Sequence, residues 1–292
     1  MSILRENLAL MKRSLYITVI FLLIFRSAQS QHQDTSNTQN IIPWRLGLVV
    51  GGTAGLIVTA HFQNYNSWWK GTHGPFHLSV DDAYSLGADK CGHLIFSYIA
   101  ADVIGRSLNW SGIERNKALQ YGGIISFAFQ LYVEVEDGFH PELGFSIGDV
   151  AVNGIGAAFP LLRENNHFFS TISPKWSTNP SERYEQHRYR TIIDDYESQT
   201  YWLSFNLRDI IGESMPRVIP SFLNVALGYG VTDLDLQGNG SRELYLSLDI
   251  DINKLPGDGD LLIALKHVLN FFHVPAPTIR LTPSVIVYGL RF

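Results

Sequence analysis

The chain is short of charge, nearly devoid of sulfur and free of any long basic run. Only 17% of its 292 residues are charged, against about a quarter in an average globular chain. Recognition of nucleic-acid phosphates needs clustered Lys and Arg. A formal net charge of -5 without such clusters excludes a nucleic-acid partner. The single cysteine, Cys91, forms no internal disulfide, so an oxidising compartment adds no stability by that route. What replaces charge is aromatic content, at 12%, a balance that leans toward buried or membrane-associated structure.

The N-terminus carries an export pattern. Lys12 and Arg13 precede an apolar run over residues 15–25, and Ala28-Gln29-Ser30 offers the small residues that signal peptidase accepts. The run is short for a membrane span, so residues 1–30 are expected to form a cleaved signal peptide. Bacterial lipoproteins carry cysteine directly after the cleavage point. Here that position is Gln31, so anchoring through a lipidated cysteine is not expected. Residues 31–41 are polar and aperiodic and read as a disordered leader. Export places the remainder in the cell envelope, facing the periplasm.

Beyond the leader, residues 44–62 are apolar apart from Arg45 and the final turn, and interspersed with Gly47, Gly51, Gly52, Ala54 and Gly55. This predicts a helix of bilayer-core length, either a membrane span or a buried helix of a soluble bundle. Three more helices follow. Asp89 precedes the run 92–108, Ser111-Gly-Ile-Glu114 is a capping-box pattern before 117–134, and Ser146-Ile-Gly-Asp149 is another before 150–162.

Past residue 175 the period falls to two. Residues 201–207, 224–231, 245–252 and 284–292 alternate in character and predict four strands, with a turn at Gln237-Gly-Asn-Gly-Ser241 between the second and third. Residues 260–272 place Leu261, Leu265, Val268, Leu269 and Phe272 on one face of an amphipathic helix, able to lie on a sheet or a membrane surface. The closing strand ends on Phe292, as outer-membrane barrel chains often do, which tips the expected membrane toward the outer one. Four strands are too few to close such a barrel. The expected fold class is therefore α+β: an apolar four-helix bundle over 42–170, membrane-associated, then a β-rich region over 171–292 built as a small antiparallel sheet with an amphipathic helix.

Polar residues recur inside the apolar helices at helical spacing. Asp89 and His93 are four apart, Glu134 and Asp137 end the second of these helices, and Ser146, Asp149, Asn153 and Gly156 line one face of the third. His77 and Asp81-Asp82 lie in the loop leading in. Asp89, Ser146, Asp149 and Glu114 are all acceptable as helix caps, which requires no chemistry. His93 and Asn153 are not caps; buried in apolar helices they need partners. A satisfied hydrogen-bond network meets that need. So does a site with Asp89, His93, Glu134 and Asp149 as catalytic groups and Lys90, Asp137, Ser146, Asn153 and His77 as ligand-binding groups. His with carboxylates suits Zn, Mn or Mg, with His93 and Asp149 the metal candidates, and also suits acid–base catalysis. No fixed metal motif is present, and Ser146 lacks the Gly-x-Ser-x-Gly elbow of a serine hydrolase.

These blocks resemble a known family. Asp89-Lys-x-x-His93, Glu134 with Asp137-Gly138, and Gly144-Phe-Ser146-x-x-Asp149-x-x-x-Asn153-x-x-Gly156 look like the YfiM-like domain of unknown function, predicted periplasmic lipoproteins. The Bacteroidetes-type long form shares further blocks, among them Phe76-His77, Asp195-Tyr196, Gln199 to Ser204, Leu227-Gly-Tyr229 and Pro275-Ala-Pro277. More remotely, the helical motifs are similar to VanZ-like membrane proteins. The resemblance implies an envelope address and no reaction. Two readings stay open: a non-catalytic envelope protein whose cluster is structural or binds a lipid-like ligand, and a metal-assisted or acid–base hydrolase of an envelope substrate. Membrane or lipid is the expected partner, with a homo-oligomer or another envelope protein also compatible.

Overall fold

The computed structural model describes residues 40–80, 85–179, 193–216, 218–235 and 238–291. The expected signal peptide, nearly all of the leader, Asp81-Asp82, Gln237 of the turn, and Phe292 lie outside them. Helix α1 spans Pro43–Asn64, with Pro43 at its first position where a missing N–H costs nothing, and runs on through a π-helical turn, Tyr65–Trp69. Helices α2 (Ala88–Trp110), α3 (Arg115–Gly138) and α4 (Ile147–Asn165) follow.

Two of the expected caps differ. The α2 N-cap is Gly87, at φ 93, where a side chain would be strained, and Asp89 sits inside the first turn. Glu114 itself caps α3, accepting from the Asn116 and Lys117 N–H groups, while Ser111 ends α2. Ser146 caps α4 through the Asp149 N–H as its motif implies.

Helices α2, α3 and α4 pack closely because glycine lines their crossings. A Cβ on Gly122 would lie 2.4 Å from the Ala101 carbonyl oxygen, and one on Gly156 2.1 Å from that of Leu94. Helix α1 lies outside this trio. Val49 is its one buried residue, packed with Leu46 on Leu108, Trp110 and Ala118. Trp44, Val50, Val58 and Phe62 are exposed. Of the described helices, the stretch Pro43–Trp69 alone is long and apolar enough to cross a membrane.

The second half forms one antiparallel sheet of six strands in sequence order. After the short strands β1 (Leu78–Ser79) and β2 (Phe145–Ser146), they are β3 (Ile172–Thr178), β4 (Gln199–Asn206), β5 (Leu223–Thr232), β6 (Ser241–Ile250), β7 (Ala276–Thr282) and β8 (Ile286–Arg291). Four strands were expected. Strands β3 and β7 escape the alternation rule because Pro174-Lys175 and Pro277 sit within them, and proline argues against a strand. Helix α5 (Asp260–Leu269) occupies the expected amphipathic stretch. The chain after it returns to the β3 edge, where the His273 N–H donates to the Trp176 carbonyl at 3.0 Å and the Trp176 N–H to that of Phe271 at 2.9 Å.

The sheet is polar and aromatic inside and apolar outside. Along β6, Glu243, Tyr245, Ser247 and Asp249 are buried while Leu244, Leu246 and Leu248 are exposed. Lys175 and Asp249 form a fully buried ion pair of 2.6 Å, and Ser204 donates to the same carboxylate. Sheet and helices share a core in which Ala88 and Ile95 of α2 meet Tyr201, Val231 and Leu234.

Candidate functional site

At one end of the helix trio the start of α2, the end of α3 and the start of α4 converge. A short parallel pairing positions the last of these: β1 (Leu78–Ser79) pairs with β2 (Phe145–Ser146), so Ser146 enters α4 from a fixed strand. On α2, Asp89, Lys90 and His93 share a face by their spacing. On α4 that face carries Asp149 and Asn153, and α3 contributes Glu134.

The Lys90 ammonium lies 2.9 Å from Asp149 Oδ1, 3.0 Å from Asp149 Oδ2, 3.7 Å from Asp89 Oδ2 and 3.3 Å from Ser146 Oγ. His93 bridges the remainder. Its Nε2 is 3.6 Å from Asp89 Oδ1, and its Nδ1 is 3.6 Å from Glu134 Oε1 and 3.3 Å from Asn153 Oδ1. Asn153 Oδ1 also accepts from the Ser97 hydroxyl, and Glu134 Oε2 accepts the Ser146 N–H. Tyr196, from the segment before β4, donates to Asp89 Oδ1 at 2.7 Å.

The carboxylates are the deep members and the cations the shallow ones. Side chains of Asp149 and Glu134 are 3% exposed, against 17% for Lys90 and 20% for His93. Burial pushes the Glu134 carboxyl up to about 8, with Asp149 and Asp137 adding to the rise and His93 opposing it. Asp137 is pushed up to about 6, again chiefly by burial. Burial favours neutral His93, but Asp89, Asp149 and Glu134 outweigh it and raise its pKa. The Lys90 ammonium and the His93 ring thus sit among the carboxyl groups of Asp89, Asp149 and Glu134.

Not every candidate joins this network. Asp137 accepts from the Trp69 indole at 2.6 Å, tying α3 to the end of the α1 extension. His77 lies against Gly144, where a Cβ would fall 3.0 Å from its Nε2, and makes no side-chain hydrogen bond among the described residues. Asp89, His93 and Asp149 each offer a ligand atom, all within 4.8 Å of one another, which is close enough to share one cation. Ser97, one helical turn beyond His93, was within reach of a spacing argument. Tyr196 and Trp69 were not, because contacts across such sequence separations leave no periodic trace.

Residues 77–165 match the family model described as Predicted periplasmic lipoprotein (DUF2279). The matched segment holds β1, α2, α3, β2 and α4, and with them every candidate named above except Tyr196 and Trp69. It supports an uncharacterised envelope domain facing the periplasm. The sole cysteine, Cys91, lies within α2 of this segment. No curated protein and no solved structure matches the chain.

Proposed function

We propose that this chain is a membrane-associated envelope protein whose inter-helix cluster holds the polar group of a lipid-like ligand rather than a metal ion. One observation carries the reading: the Lys90 ammonium occupies the position between Asp149 and Asp89 that a shared cation would take. The carboxylates are thus neutralised from within. The shallow rim is cationic, and the exposed side chains of Leu78 and Ile147 flank it, one paired to β2 and the other opening α4. A ligand with an anionic or strongly polar head and an apolar body fits that rim. Membrane association is supported by the exposed apolar surface of α1 and by the outward leucines of β6.

Elemental analysis of the purified protein, with mass spectrometry of its organic extract, tests the proposal. The expected result is no stoichiometric Zn, Mn or Mg, together with a co-purifying lipid-like molecule that is lost in Lys90→Gln. Stoichiometric metal that disappears in His93→Ala overturns it. A second reading, acid–base hydrolysis of an envelope lipid or cell-wall substrate, is favoured by Glu134. This carboxyl stays protonated near neutral pH, and its Oε1 has no hydrogen-bond partner among the described residues. Hydrolytic turnover abolished by Glu134→Gln would select that reading.

A further inference from the structure

The opposite end of the helix trio carries a second polar site that shares no residue with the first. It lies about 20 Å further along α2, at 1.5 Å per residue. A cavity of about 190 Å³ opens there, lined by Asp102, Arg106, Arg115, Pro160, Arg163 and Glu164. Three guanidiniums from three helices face two carboxylates.

The pairing leaves much of this donor capacity unused. Arg106 reaches Asp102 Oδ2 through its Nε at 2.8 Å, and Arg115 reaches Glu164 Oε1 through its Nε at 2.5 Å. Among the described residues the terminal nitrogens of both arginines make no hydrogen bond. Arg163 is held from behind, its terminal nitrogens donating to the Tyr98 and Ser173 hydroxyls, and its buried Nε–H has no partner. Asp102 is further engaged by His267 of α5 at 2.5 Å. Its negative charge is therefore shared between Arg106 and the imidazole, which leaves the cavity cationic.

We infer that this cavity is an anion site for a phosphate group, free or as the ester of a lipid head. Guanidinium forks with unpaired planar N–H donors suit the tetrahedral oxygens of phosphate. Pairs as exposed as Arg115 and Glu164, at 38% and 30%, are weak enough for an incoming dianion to displace.

The test uses the full chain in a phosphate-free neutral detergent. Calorimetric titration with inorganic phosphate is expected to show one saturable site, absent with chloride at equal ionic strength and weakened at least tenfold in Arg106→Gln and in Arg115→Gln. Flotation with phosphatidylglycerol vesicles against phosphatidylcholine vesicles separates the sources. A preference for the anionic vesicles that free phosphate competes away, and that the double variant loses, assigns a lipid head. Phosphate binding without that preference assigns a free anion. The Lys90→Gln variant keeps phosphate affinity, which separates this site from the cluster at the other end. No saturable phosphate binding, or binding unchanged in both arginine variants with native melting temperatures, overturns the inference.

Discussion

Gly156→Ala tests whether helix approach, rather than helix propensity, governs this fold. In isolation the substitution favours helix by about 1 kcal/mol. Here the new Cβ would have 2.1 Å to the Leu94 carbonyl oxygen, where Cβ atoms essentially never come within 3.0 Å, and the obstacle is backbone. Helix α4 must therefore move off α2 by roughly 1 Å, and close-packed interiors resist such shifts. Overpacking of this kind costs about 1–3 kcal/mol, and an unyielding backbone obstacle puts it at the upper end. After the propensity gain, the expected net loss is about 2 kcal/mol, a drop in melting temperature of roughly 4–8 °C for a domain of this size. Gly154→Ala supplies the internal control. On the same helix its Cβ would meet the Phe127 ring at 3.5 Å, an ordinary contact, so it should leave stability unchanged or raise it. Thermal melts by far-UV circular dichroism in one detergent compare the two. If Gly156→Ala melts at or above the wild type, close approach of the helices is not what holds the site together. The same displacement would widen the 3.3 Å His93–Asn153 contact, which links packing directly to the candidate site.

Other substitutions probe the polar interiors. Asn153→Leu strands the Ser97 hydroxyl and one contact of His93, and should destabilise by about 1–3 kcal/mol, read by the same melts; an unchanged midpoint would show that these two contacts do not hold the helices together. Lys175→Met leaves the Asp249 carboxylate buried without its partner and should cost about 3–5 kcal/mol, most of it recovered in Lys175→Met with Asp249→Leu. Denaturant melts of the single and double variants check this, and equal losses in both would refute it. Glu134 predicts a pH dependence. Its folded carboxyl titrates at about 8 against an ordinary 4.5, so the folded chain binds that proton more tightly than the unfolded one. The resulting stabilisation is complete below pH 4.5 and is lost as pH rises toward about 8. Glu134→Gln should flatten the melting-temperature profile across that window, and parallel profiles would remove the argument.

The helices were legible where local signals agree. Glu114 and Ser146 announce helix starts through side-chain oxygens that take up unpaired N–H groups, and the three-and-four spacing of Asp149, Asn153 and Gly156 marks a single face. That Asp89, His93, Glu134 and Asp149 meet followed from the cost of burying each alone. Lys90 was expected among the ligand-binding groups, but that its ammonium lies between Asp149 and Asp89 did not follow from spacing. Strand β3 was hidden by Pro174, and Tyr196 by the long separation from Asp89. Period-two alternation located β4, β5, β6 and β8, yet period alone does not say which row faces inward. In this sheet the polar row does.

That inversion bears on how such a chain tolerates change over generations. Outward positions such as Leu244, Leu246 and Leu248 are exposed and constrained by few neighbours. Inward positions such as Lys175, Ser204, Asn224 and Asp249 are bound to each other. Replacing one of them alone leaves a buried polar partner behind, so compensated pairs of changes are expected to be tolerated here where single ones are not.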